Sequence, residues 1–183
     1  MGVLTRIARR CLPAVLSALL SATPALADQM QLDATKVKAG LVYNLLKYTR
    51  WQKSSPVMID KKLTVCLYGG DPFNGALDPL QGRTAQQLAI DIIETEDPNA
   101  ITDCSLVIIH RSEADSVPTL LKTLDRKSIL TISDIDDFTH EGGMVAFTRD
   151  ENRVALVLNV PAIQAAGLIV EDRLIKLAKK EGQ

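Results

Sequence analysis

Cys104-Ser105-Leu106-Val107-Ile108-Ile109-His110, the polar and amphipathic segment that follows, and then Ile129-Leu130-Thr131-Ile132-Ser133-Asp134 form the stretch that decides the fold. Both ends of it are short, almost continuously apolar and rich in β-branched residues, the pattern of strands buried on both faces. Between them, Val117, Leu120, Leu121 and Leu124 fall on one side of a helix over residues 113–125, and Pro118 is tolerated because it sits in the first turn. Strand, helix and strand in that order read as a crossover between parallel neighbours.

The same logic extends in both directions. Upstream, Leu63-Thr64-Val65-Cys66-Leu67-Tyr68 is another buried strand, stopped by Gly69-Gly70-Asp71-Pro72. A helix from Pro72 to Leu80, a Gln81-Gly82 turn and a strand from Gln87 to Ile93 are expected next. The first helix lies between Leu32 and Trp51, with Val37, Leu41, Leu45 and Tyr48 at helical spacing and Val42, Leu46 and Thr49 widening the stripe. Asp33 is its expected cap and Ser54-Ser55-Pro56 its stop. The breadth of that stripe makes Leu41, Leu45, Tyr48 and Trp51 a candidate partner surface in addition to core. Downstream, Gly142-Gly143 precedes two runs, Met144 to Thr148 and Arg153 to Val160, joined by Arg149-Asp150-Glu151-Asn152 as a hairpin. A last helix from Pro161 to Lys179 carries Ile163, Ala166, Val170, Leu174 and Leu177 on one stripe. The expected fold is α/β: a mostly parallel sheet flanked by helices, with a C-terminal antiparallel hairpin at its edge and a final helix.

The N-terminus has another purpose. Arg6, Arg9 and Arg10 precede an apolar run from Cys11 to Ala22, and Ala25-Leu26-Ala27 stands before Asp28, the layout of a cleavable secretory signal. A membrane span needs about 20 apolar residues, more than this run supplies, and Pro13 and Pro24 interrupt it. Cys11 opens the apolar core rather than closing it, which argues against lipid attachment. Cleavage after Ala27 is expected, with residues 28–183 as one domain in the periplasm. Losing three arginines and no acid takes the formal charge from −1 to −4, which disfavours nucleic acid as a partner. Cys66 and Cys104 survive cleavage, and an even count in an oxidising compartment favours a disulfide between them.

Chemistry is sparse. Only His110 and His140 are present, and no carboxylate, histidine and nucleophile fall into a catalytic spacing around them. The chain reads as a non-enzyme without cofactor or metal: His110 closes a buried strand, and Asp136, Asp137, His140 and Glu141 lack the ligand alternation and glycine of a calcium loop. Gly69-Gly70 is neither a dinucleotide fingerprint nor a phosphate loop with its lysine, so tight turning is its simplest role. In an open parallel sheet, ligands meet the carboxyl ends of strands, which would gather Gly70, Asp71, Arg111, Ser133 and Asp134 into a small-ligand cleft.

The ordered set of Tyr43-Asn44-Leu45-Leu46-Lys47-Tyr48-Thr49-Arg50-Trp51, Leu63 to Phe73, Cys104 before its strand, Ile129 to Asp134, Phe138, Gly142-Gly143-Met144, Arg153-Val154, Asn159 and Ala165-Ala166-Gly167-Leu168 resembles the YfiR-like family of periplasmic proteins. The resemblance runs over roughly residues 36 to 178. It implies a compact α/β domain that self-associates, a homodimer by expectation. It also implies a negative regulator that represses a membrane-bound diguanylate cyclase through the cyclase's periplasmic region, and so controls cyclic di-GMP signalling. Some family members carry a second cysteine pair near the segment matching Gly142-Gly143-Met144; this chain has none there. The rival reading is a periplasmic small-ligand sensor or carrier that acts on another membrane receptor, such as a histidine kinase.

Overall fold

A computed structural model describes residues 24–178 apart from 53, 54, 56, 58, 59, 126, 151 and 152, with side chains from residue 34 onward except that of residue 150. The proposed signal segment, the stop at Ser54 and Pro56, and the Glu151-Asn152 tip of the hairpin therefore lie wholly or largely outside the described residues. Helix α1 (Pro24–Tyr48) is followed by strands β1 (Thr49–Arg50) and β2 (Lys62–Tyr68), then by β3 (Thr84–Ala85), β4 (Leu88–Thr95) and β5 (Leu106–Ile109). Helix α2 (Val117–Leu124), β6 (Leu130–Ser133), β7 (Val145–Asp150) and β8 (Arg153–Leu158) come next, and α3 (Val160–Ala165), β9 (Ile169–Val170) and α4 (Asp172–Leu177) close the chain. No helix among the described residues is long and apolar enough to cross a membrane.

Seven strands form one sheet in the order β3-β4-β2-β5-β6-β7-β8, and β1 pairs with β9 in a separate two-stranded sheet. The large sheet is mixed, which corrects the mostly parallel expectation. Its centre from β4 to β7 is parallel, whereas β3 and β8 each add an antiparallel strand at an edge. The α/β class holds, with helices on both faces.

Period-two alternation sorts the buried strands between those faces. Leu63, Val65 and Leu67 of β2, Leu106 and Ile108 of β5, and Leu130 and Ile132 of β6 point to the side covered by Val42, Leu45 and Leu46 of α1. The alternate residues Cys66, Val107 and Ile109 point to the opposite side, covered by Val117, Leu120 and Leu124 of α2.

Four local expectations are corrected. Helix α1 already runs at Pro24, so position 33 lies inside it rather than at its start. Its C-terminal carbonyls are satisfied by a distant residue: the Gln86 amide donates to Leu46 O at 2.6 Å and to Thr49 O at 2.7 Å. Strand β3 was not anticipated, because the turn that makes it carries none of the usual residues. Gln86 and Gln87 both stand at positive φ (52° and 67°), the geometry of a two-residue hairpin ordinarily built from Asn-Gly. The expected helix at Pro72–Leu80 is a chain of turns ending in a 3-10 segment at Asp78–Leu80, since Asn74 and Gly75 adopt positive φ and Asp71 braces the bend instead.

The expected helix over 161–179 is split at Gly167, whose φ of 71° ends α3. Leu168 N–H bonds to Ile163 O and Gly167 N–H to Gln164 O, the paired bonds of a Schellman stop. The freed chain then pairs Ile169 and Val170 with Arg50 and Thr49, and Glu171 N–H donates to Tyr48 O.

Candidate functional site

The chain leaves β2, adds β4 on one side of it, and then places β5 on the other side. Strand direction of travel reverses at β2, and such a switch opens a crevice outside the carboxyl ends of the flanking strands. The segments that leave β2 and β5 at this edge are Gly69-Gly70-Asp71 and His110-Arg111-Ser112. A cleft of about 520 Å³ lies there, lined by Asp71, Pro72, Asn74, His110, Arg111, Ser112 and Asp134.

Local chemistry sets each of these groups. The Asp71 carboxylate accepts from Phe73 N–H at 2.7 Å and from Gly75 N–H at 2.6 Å, so both oxygens are committed to the turn that carries Asn74. His110 caps the 3-10 segment Arg111–Ser116: its Nδ1 accepts from Ser112 N–H at 3.1 Å. Accepting through Nδ1 makes Nε2 the protonated nitrogen of the neutral ring. Arg111 donates through Nη2 to Asp134 O, and its Nε lies 3.7 Å from Asp134 Oδ1.

Asp134 is the hinge of the arrangement. Lys38 reaches it from α1, Nζ to Oδ2 at 2.7 Å, with the ammonium also 5.5 Å from the centre of the Phe147 ring. Burial alone pushes the Asp134 carboxyl up, but the Lys38 hydrogen bond and charge outweigh it, helped by Arg111 and His110, and the carboxyl sits below its ordinary value. Nearby, the Tyr68 phenol is pushed up by desolvation first and then by the charges of Glu113, Asp97 and Glu96.

Of the five residues expected at this edge, the structure brings Asp71, Arg111 and Asp134 into one cleft. Gly70 stands beside it with φ 122°, in a backbone conformation suited to glycine. Ser133 is buried and structural: its hydroxyl donates to Ile109 O at 2.8 Å and accepts from Ile135 N–H. Sequence reasoning missed Asn74, Ser112 and the involvement of Lys38, and assigned His110 a structural role only. Asn74 before Gly75 is a readable turn signal, but Lys38 lies 96 residues from Asp134 and nothing local announces it.

The other expected groups fall elsewhere. Cys66 of β2 and Cys104, which stands between a 3-10 segment and β5, are joined in a disulfide, Cα to Cα 6.1 Å, with both residues buried. Leu45 and Trp51 are buried within their own domain, the Trp51 indole donating to Ser105 O at 3.2 Å, so two of the four candidate partner residues face the core. Leu41 and Tyr48 are half-buried, and Val37 on the same helix is 49% exposed. No group of three or more His, Cys, Asp or Glu among the described residues is placed to hold a metal ion.

A family model described as YfiR/HmsC-like matches residues 35–179. Among curated proteins, none matches the chain.

Proposed function

From the premise that this chain belongs to the YfiR/HmsC-like family, we propose that it is a periplasmic regulatory binding protein that represses an inner-membrane diguanylate cyclase by engaging the cyclase's periplasmic region. The family match, covering almost the whole folded domain, is the observation that carries this reading. The Cys66–Cys104 disulfide supports it, because such bonds persist in oxidising compartments. Repression works by differential affinity: the protein holds one of two conformations of its partner, and a tenfold shift needs only about 1.4 kcal/mol of coupling.

The partner contact runs along the margin of α1 where the half-buried Leu41 and Tyr48 border the core, and the exposed Val37 extends it. Self-association as a homodimer uses the outer edge of β8, which has no further strand beside it among the described residues. The test is direct capture. The processed protein should bind the recombinant periplasmic region of a membrane diguanylate cyclase from the same genome, and deleting its gene should raise cyclic di-GMP. Unchanged nucleotide level together with no capture would remove this reading.

The strand-end cleft favours a second reading, in which the protein senses or carries a small ligand and passes the signal to another membrane receptor. Arg111 and Asp134 hold the cleft and, through Lys38, touch α1. A ligand there would bear directly on the helix proposed for partner contact.

A further inference from the structure

Hydrogen-bond bookkeeping at the cleft is lopsided. The two carboxylates that line it are engaged: both Asp71 oxygens serve backbone N–H groups, and Asp134 is held by Lys38 on one oxygen and flanked by Arg111 on the other. Its donors are not. Arg111 keeps further N–H groups beyond its bond to Asp134 O, and its side chain is 61% exposed. The Asn74 side-chain amide has no partner among the described residues, and His110 Nε2 is left as a donor once Nδ1 accepts from Ser112. A charged planar donor with two neutral donors around a concave space of about 520 Å³ matches an acceptor-rich group on a small molecule.

We propose that this cleft binds a small molecule through an oxyanion, a carboxylate or a phosphate, with Arg111 as the ion-pairing donor and Asn74 and His110 as neutral donors. This rests on reading the strand-end cleft as a ligand site, and it names the chemistry that site takes. Asp134 is matched by Lys38 and Arg111, and Asp71 by two peptide N–H groups. Asp136, 95% exposed with its Oδ1 3.9 Å from Arg111 Nη2, is the carboxylate that a bound anion has to displace from the guanidinium.

The test titrates three probes at ionic strength matched with sodium chloride: sodium acetate, sodium phosphate and methylammonium chloride. Each is added to the ¹⁵N-labelled protein in its natural processed form, reading the Asn74 and Ser112 amides and the Arg111 side-chain N–H. Acetate or phosphate should shift these signals saturably and methylammonium should not. Arg111→Ala should weaken the anion at least tenfold, with partial rescue by Arg111→Lys, and Asn74→Ala should weaken it roughly threefold. Saturation by methylammonium alone overturns the oxyanion and leaves the cleft standing as a ligand site. Saturation by none of the three overturns both, and equal anion affinity in Arg111→Ala overturns Arg111 as the ion-pairing donor and with it the proposal. No arm contains the cyclase, so the capture experiment stands or falls separately.

Discussion

On one face of the large sheet, Leu63, Val65, Leu67, Leu106, Ile108, Leu130 and Ile132 meet the long helix α1, along with Ile163, Leu168 and Leu174 from the C-terminal region. On the other, Cys66, Val107, Ile109 and Ile129 meet the short α2, the 3-10 segment around Ile101, and Ile135 and Phe138 from the loop after β6. The disulfide belongs to the second face. It joins the middle of β2 to the residue before Ser105 and β5, where the apolar cover is thinner. The contrast teaches that area closes one face and a covalent bond helps close the other. Burial supplies roughly 25 cal/mol per Å² of apolar surface, whereas a crosslink acts mainly by restricting the unfolded chain.

The largest test of that contrast removes the crosslink. Replacing Cys66 and Cys104 together by alanine should cost about 4 kcal/mol of unfolding free energy for a loop of 38 residues, measured by denaturant titration. Hydrogen exchange in the same variant should rise more in α2 than in α1. Equal loosening of both helices would break the comparison. Next, Leu45→Ala, a fully buried side chain on the α1 face, should cost about 3 kcal/mol and leave the disulfide intact.

A smaller effect concerns the polar seam between α1 and the cleft. Asp134→Asn should cost about 2 kcal/mol near neutral pH, since it leaves the part-buried Lys38 ammonium without its counter-charge. The sign with pH follows from the lowered Asp134 carboxyl. Its stabilisation is full above the unfolded value of about 4 and is lost as pH falls through the lower folded value, so the variant should show a flatter acid limb in stability against pH. The smallest expected loss, about 1 kcal/mol by thermal or denaturant unfolding, is for Asn159→Ala. That side chain caps α3 by accepting from Ala162 N–H at 3.1 Å, and it also donates to Thr139 O at 2.9 Å.

Legibility differed by the kind of signal. β2, β5 and β6 were readable because a strand buried on both sides must be continuously apolar, and the hairpin β7–β8 because Gly142-Gly143 precedes it and a polar turn divides it. The sequence also pointed to Asp71, Arg111 and Asp134, because they follow strand ends that a parallel sheet must align. The hairpin at Gln86-Gln87, the Gly167 stop and the β1–β9 pairing were not readable. In the first and last the residues that stabilise the conformation lie far along the chain: Gln86 is anchored on Leu46 and Thr49, and Ile169 on Arg50. The Gly167 stop is local, but the apolar stripe continues past it and masks it.

What the sequence determined by itself was the class of fold, the buried strands, the two cysteines and the edge of the sheet where a cleft could form, since hydrophobic period and strand-end position are local properties. Only the tertiary structure decided that β3 adds an antiparallel strand at the other edge of the sheet, that Leu45 and Trp51 are consumed by the core, and that Lys38 closes on Asp134. Those outcomes depend on which distant surfaces and charges the fold brings together, and a burial or an ion pair has no existence until both partners are in place.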